Sequence, residues 1–461
     1  MIMNNKTIKN TILTLVLVLS YTSCEKMVEV DLPINQLTAD QVFESTSTAE
    51  GALSALYAEM QSLSIITGGA TGFGGLLGSY TDDLDGYDIY SNNASMDLFN
   101  NIQNPSNTTV KLVWGNSYRQ IYMANAIIEG LEKSTAIGEK DRNRIKGEAI
   151  FIRSLIYYYL TEIFGDIPYI TSTDYNVNQS LSKLKMNEIL QRVSQDLSTA
   201  SPLVEMDYRN AERIYVNRKT LDLLSSLVYM RLKQWSQAEG LLYGIINSPL
   251  YSFPQDLSKT FKKDGKHILW QLKPIFANAA TPEASLYNFS SGVPRYYAAS
   301  DNLMSSFSAS DQRKTNWLSP ITTGQKTYYK INKYKTITNN TDEYSVVFRL
   351  QEAYLLMAEV MAQQNRSGEG ANYLNTVRHL AGLGDISGAI TKESLLEEIL
   401  SENRREFFSE RGIRFLDLKR NDKLDILNVV KPNWKSFHLL WPIPLPELAL
   451  NPSLNPQNNG Y

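Results

Sequence analysis

The sequence predicts a mostly α-helical protein in which irregular helix pairs carry a loop-rich lobe. Three observations lead there. Apolar residues recur at helical spacing through most of the body. The stretch from Asn217 to Pro249 places Ser226, Tyr229, Ala238, Leu242 and Pro249 close to the small–Tyr–Ala–large–Pro rhythm of a tetratricopeptide helix hairpin. Two regions, about 67–109 and 252–344, lose that periodicity and fill with Gly, Asn, Asp, Ser and Thr. The helical pairs fall at irregular intervals, so a bundle of degenerate repeats is expected and not a clean solenoid.

At the start of the chain, Lys6 and Lys9 precede a short apolar run from Ile12 to Leu19. Tyr21-Thr22-Ser23 then lead to Cys24, the only cysteine in 461 residues. The run is far below the ~20 residues a helix needs to cross a bilayer, so residues 1–23 read as a signal peptide. A cysteine at the cleavage point resembles a bacterial lipoprotein signal, with Tyr21 standing where leucine is usual. Cys24 is then the lipidation site, and several acyl chains there would anchor the protein stably to a membrane. Residues 24–37, with Pro33 and several acids, suit an extended tether.

The body is helical from Thr38, the expected N-cap, with Ala49, Leu53, Leu56, Tyr57 and Met60 on one face. Periodicity resumes at "VKLVWGNSYRQIYMANAIIEGLE" and continues through "KDRNRIKGEAIFIRSLIYYYLTEIF", where Ile145, Ala149, Ile152, Ile156, Leu160 and Ile163 trace a face. "KHILWQLKPIF" has the composition of a strand, and helices return from "VVFRLQEAYLLMAEVMAQQN" onward. The proline-rich end interleaves Trp441, Ile443, Leu445, Leu448, Leu450 and Leu454, which predicts an extended strap packed on the body.

A net charge of −3 lacks the basic excess that a nucleic-acid binder needs. One cysteine cannot form an internal disulfide, and His267, His379 and His438 are far apart in the chain. No metal site or cofactor is expected.

Several segments carry a resemblance. "VWGNSYRQIYMAN" holds Trp114, Tyr118, Ile121 and Asn125. "GEAIFIRSLIYYYLTEIFGDIPYI" keeps Glu148, Ala149, Arg153 and the Phe164-Gly165-Asp166-Ile167-Pro168 exit. "RLQEAYLLMAEVMA", "LNTVRHLAGL", "RREFFSERGIRFLDLKR" and "PIPLPELALNPSLNPQNNGY" follow. In this order they resemble the SusD/RagB family of outer-membrane nutrient-binding lipoproteins of Bacteroidetes, over nearly the whole mature chain. The resemblance implies that residues 38–461 form a single SusD-like domain of about four tetratricopeptide-like hairpins. The regions at about 67–109 and 252–344 would supply its ligand lobe. It also implies a lipid-anchored protein on the cell-surface side of the outer membrane. Such a protein binds oligosaccharides without cleaving them and delivers them to a SusC-like TonB-dependent transporter. Two other readings are a RagB-like peptide-capturing lipoprotein and a glycoside hydrolase using Asp82 or Asp83.

Sugar sites combine an aromatic platform, stacking on the C–H face of a pyranose, with polar groups that bond its hydroxyls. Two loop stretches offer that mixture, "SYTDDLDGYDIYSNN" and "VPRYYAASDN…RKTNWL", and the resemblance points to the same two regions. The candidates are Tyr80, Asp82, Asp83 and Tyr87 from the first, with Arg295, Tyr296, Tyr297 and Trp317 from the second. Trp317 is the first choice for the platform, because a tryptophan in a polar loop has little packing reason to be there.

Other motifs read as structure. "TGGATGFGGLLG" lacks the Lys-Ser/Thr of a phosphate loop, so its glycines are expected to permit tight turns or a close backbone approach. On a calcium-loop template, Thr81 and Asn92 of "TDDLDGYDIYSNN" fall where the two key carboxylates belong, which argues against that site. "ENRREFFSERGIRFLDLKR" sets opposite charges at helical spacing, Glu410 and Arg414 among them, and reads as a structural ion network. Trp114 and Trp235 sit at helix packing positions.

Overall fold

A computed structural model describes residues 39–461, apart from 68, 88–93 and 389. The signal peptide, Cys24, the tether and the Thr38 cap lie outside the described residues. Helix α1 (Thr46–Leu63) starts at Ser45, whose hydroxyl accepts the Thr48 N–H at 3.2 Å. It buries Ala49, Leu53, Leu56, Tyr57 and Met60, as the spacing predicts.

Two 26-residue helices, α3 (Thr108–Lys133) and α4 (Glu139–Phe164), pack side by side and are each about 39 Å long. From Arg144 onward α4 is buried nearly all round, so it forms the axis of the bundle. Around it lie α6 (Met186–Ala200), the pair α7 (Arg218–Arg231) and α8 (Trp235–Ile246), and the pair α9 (Leu350–Gln363) and α10 (Ser367–Leu380). Ser226, Ala238 and Leu242 are fully buried in the α7–α8 pair, where the hairpin rhythm places its small and large residues. Helices α11 (Lys392–Phe407) and α12 (Ile413–Arg420) close that side. A short α5 (Tyr175–Asn178) stands between α4 and α6.

Within the expected loop at 67–109 the chain instead forms α2 (Phe73–Tyr80), buried along its whole length. Glycine's poor helix propensity hides this helix from a sequence reading. Its glycines serve close packing: a Cβ on Gly74 would lie 2.2 Å from the Ser409 carbonyl oxygen. At Gly78 it would lie 2.9 Å from Leu84.

Strand β1 (Leu84–Gly86), β3 (Tyr297–Ala299), β5 (Lys326–Ile331) and β4 (Leu318–Thr323) make an antiparallel sheet in that spatial order. The strand expected in "KHILWQLKPIF" is β2 (Ile268–Leu272), buried throughout and paired with β6 (Ser345–Arg349). At the end of the chain, Trp441 and Ile443 are fully buried, and the Trp441 N–H donates to Ile163 O at 2.8 Å. The strap is not extended throughout. Leu445–Leu450 coil into α13, which leaves Leu445 and Leu450 on the surface.

Candidate functional site

Strand β1 and strand β3 bring the two candidate loop stretches together. Leu84 lies opposite Ala299, Asp85 opposite Ala298 and Gly86 opposite Tyr297. The Tyr87 N–H extends the ladder by donating to Tyr296 O at 2.7 Å. Alternation along the strands then gives the sheet two unlike faces. One presses Leu84, Tyr297, Ala299 and Tyr329 onto a core that holds Phe261, Trp317 and Phe408. On the other, Tyr87 packs with Ala298, Tyr328 and Ile321. Tyr87 and Tyr328 meet edge to face at 5.6 Å, and the Lys326 ammonium lies 4.9 Å from the Tyr328 ring centre.

Beside this aromatic face opens a cleft of about 390 Å³. Its walls are Asp82 and Asp85, residues 99–101, residues 300–302 and residues 430–433. Polar bonds fix each wall. The Ser300 hydroxyl donates to Asp82 O at 2.6 Å, and the Ser300 N–H donates to Asp83 O at 3.0 Å. The Lys431 ammonium donates to Ser79 O at 2.5 Å and Phe99 O at 3.0 Å. Asn433 reaches Asn100 O at 2.9 Å, and Asn101 reaches Tyr80 O at 3.1 Å.

Burial, reinforced by the charge of Asp301, holds the Asp85 carboxyl above the usual carboxylate range. Burial pushes the Lys431 ammonium down to about 8. Asp85 and Tyr87 stand two residues apart on the same strand face, with the Tyr87 hydroxyl 3.5 Å from Asp85 Oδ2. Carboxylates and amides therefore line one open groove with Tyr87 next to it, a mixture that suits a polyhydroxyl ligand.

Several sequence candidates take other roles. Trp317 is 1% exposed; its indole N–H donates to Leu257 O at 3.2 Å, and its ring packs on Phe261 at 5.5 Å. It offers no open face for stacking, which corrects its assignment as the platform. Tyr80 is likewise buried, its hydroxyl donating to His438 O at 2.9 Å. Tyr297 is buried in the core beneath the sheet.

Asp82 and Asp83 are held by arginines and are not free to accept sugar hydroxyls. Arg414 clasps Asp82 through two bonds of 2.9 and 3.0 Å, and Arg404 bonds Asp83 at 2.8 Å. Burial alone would raise Asp82, but the bond from Arg414 and the charge of Arg404 bring it below the ordinary range. At Asp83 burial wins and the carboxyl is raised.

Tyr87, Arg295 and Tyr296 remain accessible, Tyr87 beside the cleft and Tyr296 packed against the core beneath the sheet. Tyr87 and Tyr296 are half-buried, Arg295 is exposed, and its guanidinium lies 4.9 Å from the Tyr296 ring centre. Asp85, Tyr328, Lys326 and the amides of 100–101 and 433 were missed. The tyrosine-rich "KTYYKI" and the Asp85–Tyr87 spacing of two were the available signals. Among the described residues no group of three or more His, Cys, Asp or Glu is placed to hold a metal ion, and no helix is long and apolar enough to cross a membrane.

Comparison with known proteins matches this architecture. A SusD-like family model, described as "Starch-binding associating with outer membrane", matches residues 72–221, and the SusD family model matches residues 250–429. SusD-like protein P25 of Formosa agariphila is 22% identical, over 98% of this chain and 99% of its own length. A SusD superfamily protein from Bacteroides vulgatus superposes with a TM-score of 0.76 at 20% identity, covering 90% of this chain and 99% of that one. Surface glycan-binding protein A from Bacteroides thetaiotaomicron, solved in complex with laminarihexaose, gives 0.76 at 18% identity, covering 90% of this chain and 100% of that one.

Proposed function

The chain belongs to the SusD family, and from that premise we propose that it captures an oligosaccharide in the Asp85–Tyr87 cleft and passes it, uncleaved, to a SusC-like TonB-dependent transporter. The observation that carries this reading is the groove itself. Asp85, Asp301 and the asparagines at 100, 302 and 433 line it together, and Tyr87 adjoins it with its hydroxyl 3.5 Å from Asp85 Oδ2. The half-buried Tyr87 ring suits the C–H face of a pyranose, and Asp85, Asp301 and the neighbouring amides suit its hydroxyls. A fold neighbour holds laminarihexaose, which makes a neutral β-glucan the first ligand to try.

A hydrolase would need two carboxyl groups flanking the scissile bond. Asp82 and Asp83, the acids that reading rests on, are neutralised by Arg404 and Arg414. Lipidation at Cys24 would hold the protein on the outer membrane beside its transporter. Mature protein beginning after Cys24, titrated with a panel of oligosaccharides, is expected to bind saturably and release no product. Product formation would sink the reading, and so would indifference of the affinity to both Tyr87→Ala and Asp85→Asn.

A further inference from the structure

A second cavity, about 400 Å³, lies between α3, the segment around α5 and α13. That volume is typical of small-molecule sites. Trp114 and Tyr118 line it with ring centres 4.9 Å apart. Both rings are held by their polar ends. The Tyr118 hydroxyl donates to Pro168 O at 2.9 Å, and Trp114 hydrogen-bonds Glu447. Tyr175 and Leu450 stand at the lip, 73% and 79% exposed, far more open than large apolar side chains usually are.

Gly115 lines the same cavity from the interior of α3. A mid-helix glycine costs ~1 kcal/mol relative to alanine, and here no neighbour demands it. A Cβ at Gly115 would meet nothing within 4 Å, whereas at Gly130 of the same helix it would lie 2.1 Å from the Phe43 ring. Gly130 is explained by packing, whereas at Gly115 the missing side chain leaves the cavity wall open.

We propose that this cavity is a second saccharide subsite, holding neutral pyranose rings between Tyr118 and Tyr175, with Glu447, Asn178 and Gln179 facing their hydroxyls. The carboxylate of Glu447 selects neutral over acidic sugars. The subsite rests on the reading that the protein binds oligosaccharides, and extends it to a surface that shares no lining residue with the Asp85 cleft. Two separate sites on one body hold a polymer by avidity and release it in steps.

Calorimetric titration of the mature protein with laminarihexaose, maltohexaose and cellohexaose in turn tests this. A hexasaccharide that binds is expected to occupy two sites. Gly115→Leu, which fills the cavity, and Tyr175→Ala, which strips its lip, should each weaken one site by about tenfold, the scale of one aromatic contact. Tyr87→Ala should weaken only the other. Circular dichroism melts identify any variant that fails to fold, and Tyr175→Ala, at an exposed position, keeps the test open if Gly115→Leu does. Unchanged stoichiometry and affinity in folded Gly115→Leu and Tyr175→Ala, with binding weakened in Tyr87→Ala, would overturn the subsite and leave the cleft standing. Binding lost in Gly115→Leu but intact in Tyr87→Ala and Asp85→Asn would support the subsite and overturn the cleft. No binding of any of the three sugars by wild type would overturn both.

Discussion

Tyr87 and Trp317 both belong to the candidate ring set, and their environments assign them opposite consequences on mutation. Tyr87 is half-buried on the open sheet face, so Tyr87→Ala should weaken oligosaccharide binding by roughly 1 kcal/mol while leaving the urea midpoint nearly unchanged. Trp317 is fully packed, so Trp317→Ala should cost about 3–5 kcal/mol of stability in urea unfolding and affect binding only through the fold. The physical reason Trp317 reads as a platform from sequence is local: its neighbours Arg313, Lys314, Thr315 and Asn316 are polar. What buries it comes from Leu257, Phe261 and Phe408, and no short window of sequence contains them. Lys431 supplies a titration test beside the cleft. Its folded value is about 8 against 10.5 in the open chain, so between those pH values the unfolded chain binds more protons. Stability from this residue is therefore lower below pH 8 and rises as pH climbs toward 10.5. The stability difference between wild type and Lys431→Met should shift toward wild type across that window, by about 2–3 kcal/mol, when both are unfolded in urea at several pH values.

Helix α12 and the end of α11 hold the site from behind. Arg404 and Arg414 cross from these helices to Asp82 and Asp83, which precede β1, and so set where Asp85 and Tyr87 emerge. Removing one member leaves a buried charge unmatched: Asp82→Ala should cost about 3–5 kcal/mol. Asp82→Ala combined with Arg414→Met should recover part of that loss, and a double-mutant cycle in urea measures the coupling. A cycle that sums without coupling would show that the clasp does not hold the strand. The helices were legible because their apolar period is local, and Ala49, Leu53, Leu56, Tyr57 and Met60 of α1 fall on the buried side as their spacing requires. The charge run of α11 and α12 was legible as an ion network, but its partners were not. Glu410 binds Lys333 and Arg349 rather than Arg414, and Arg414 binds Asp82 more than 300 residues away. The same non-locality hid the β1–β3 pairing, which joins three-residue strands too short to announce themselves.

Across the whole molecule, the chain's entry and its candidate cleft lie at opposite ends of α3. Phe43, near the first described residues, packs on Gly130 and accepts a bond from Ser134 at the C-terminal end of that helix. Residues 99–101 of the cleft precede its N-cap, Asn107. A 26-residue helix separates them by about 39 Å. Residues 24–38 can add at most about 50 Å of reach if fully extended. A lipid on Cys24 would therefore attach to the body at the end of α3 remote from the cleft. Cys24→Ala should lose metabolic palmitate labelling and leave the membrane fraction, with oligosaccharide affinity in solution unchanged. Deleting residues 28–33, part of the tether the sequence predicts, separates anchoring from reach, because it would shorten an extended segment by about 20 Å. That variant should stay lipidated and bind oligosaccharide normally in titration, yet take up less of it into cells. Uptake equal to wild type would show that the proposed delivery does not draw on the length of residues 24–38.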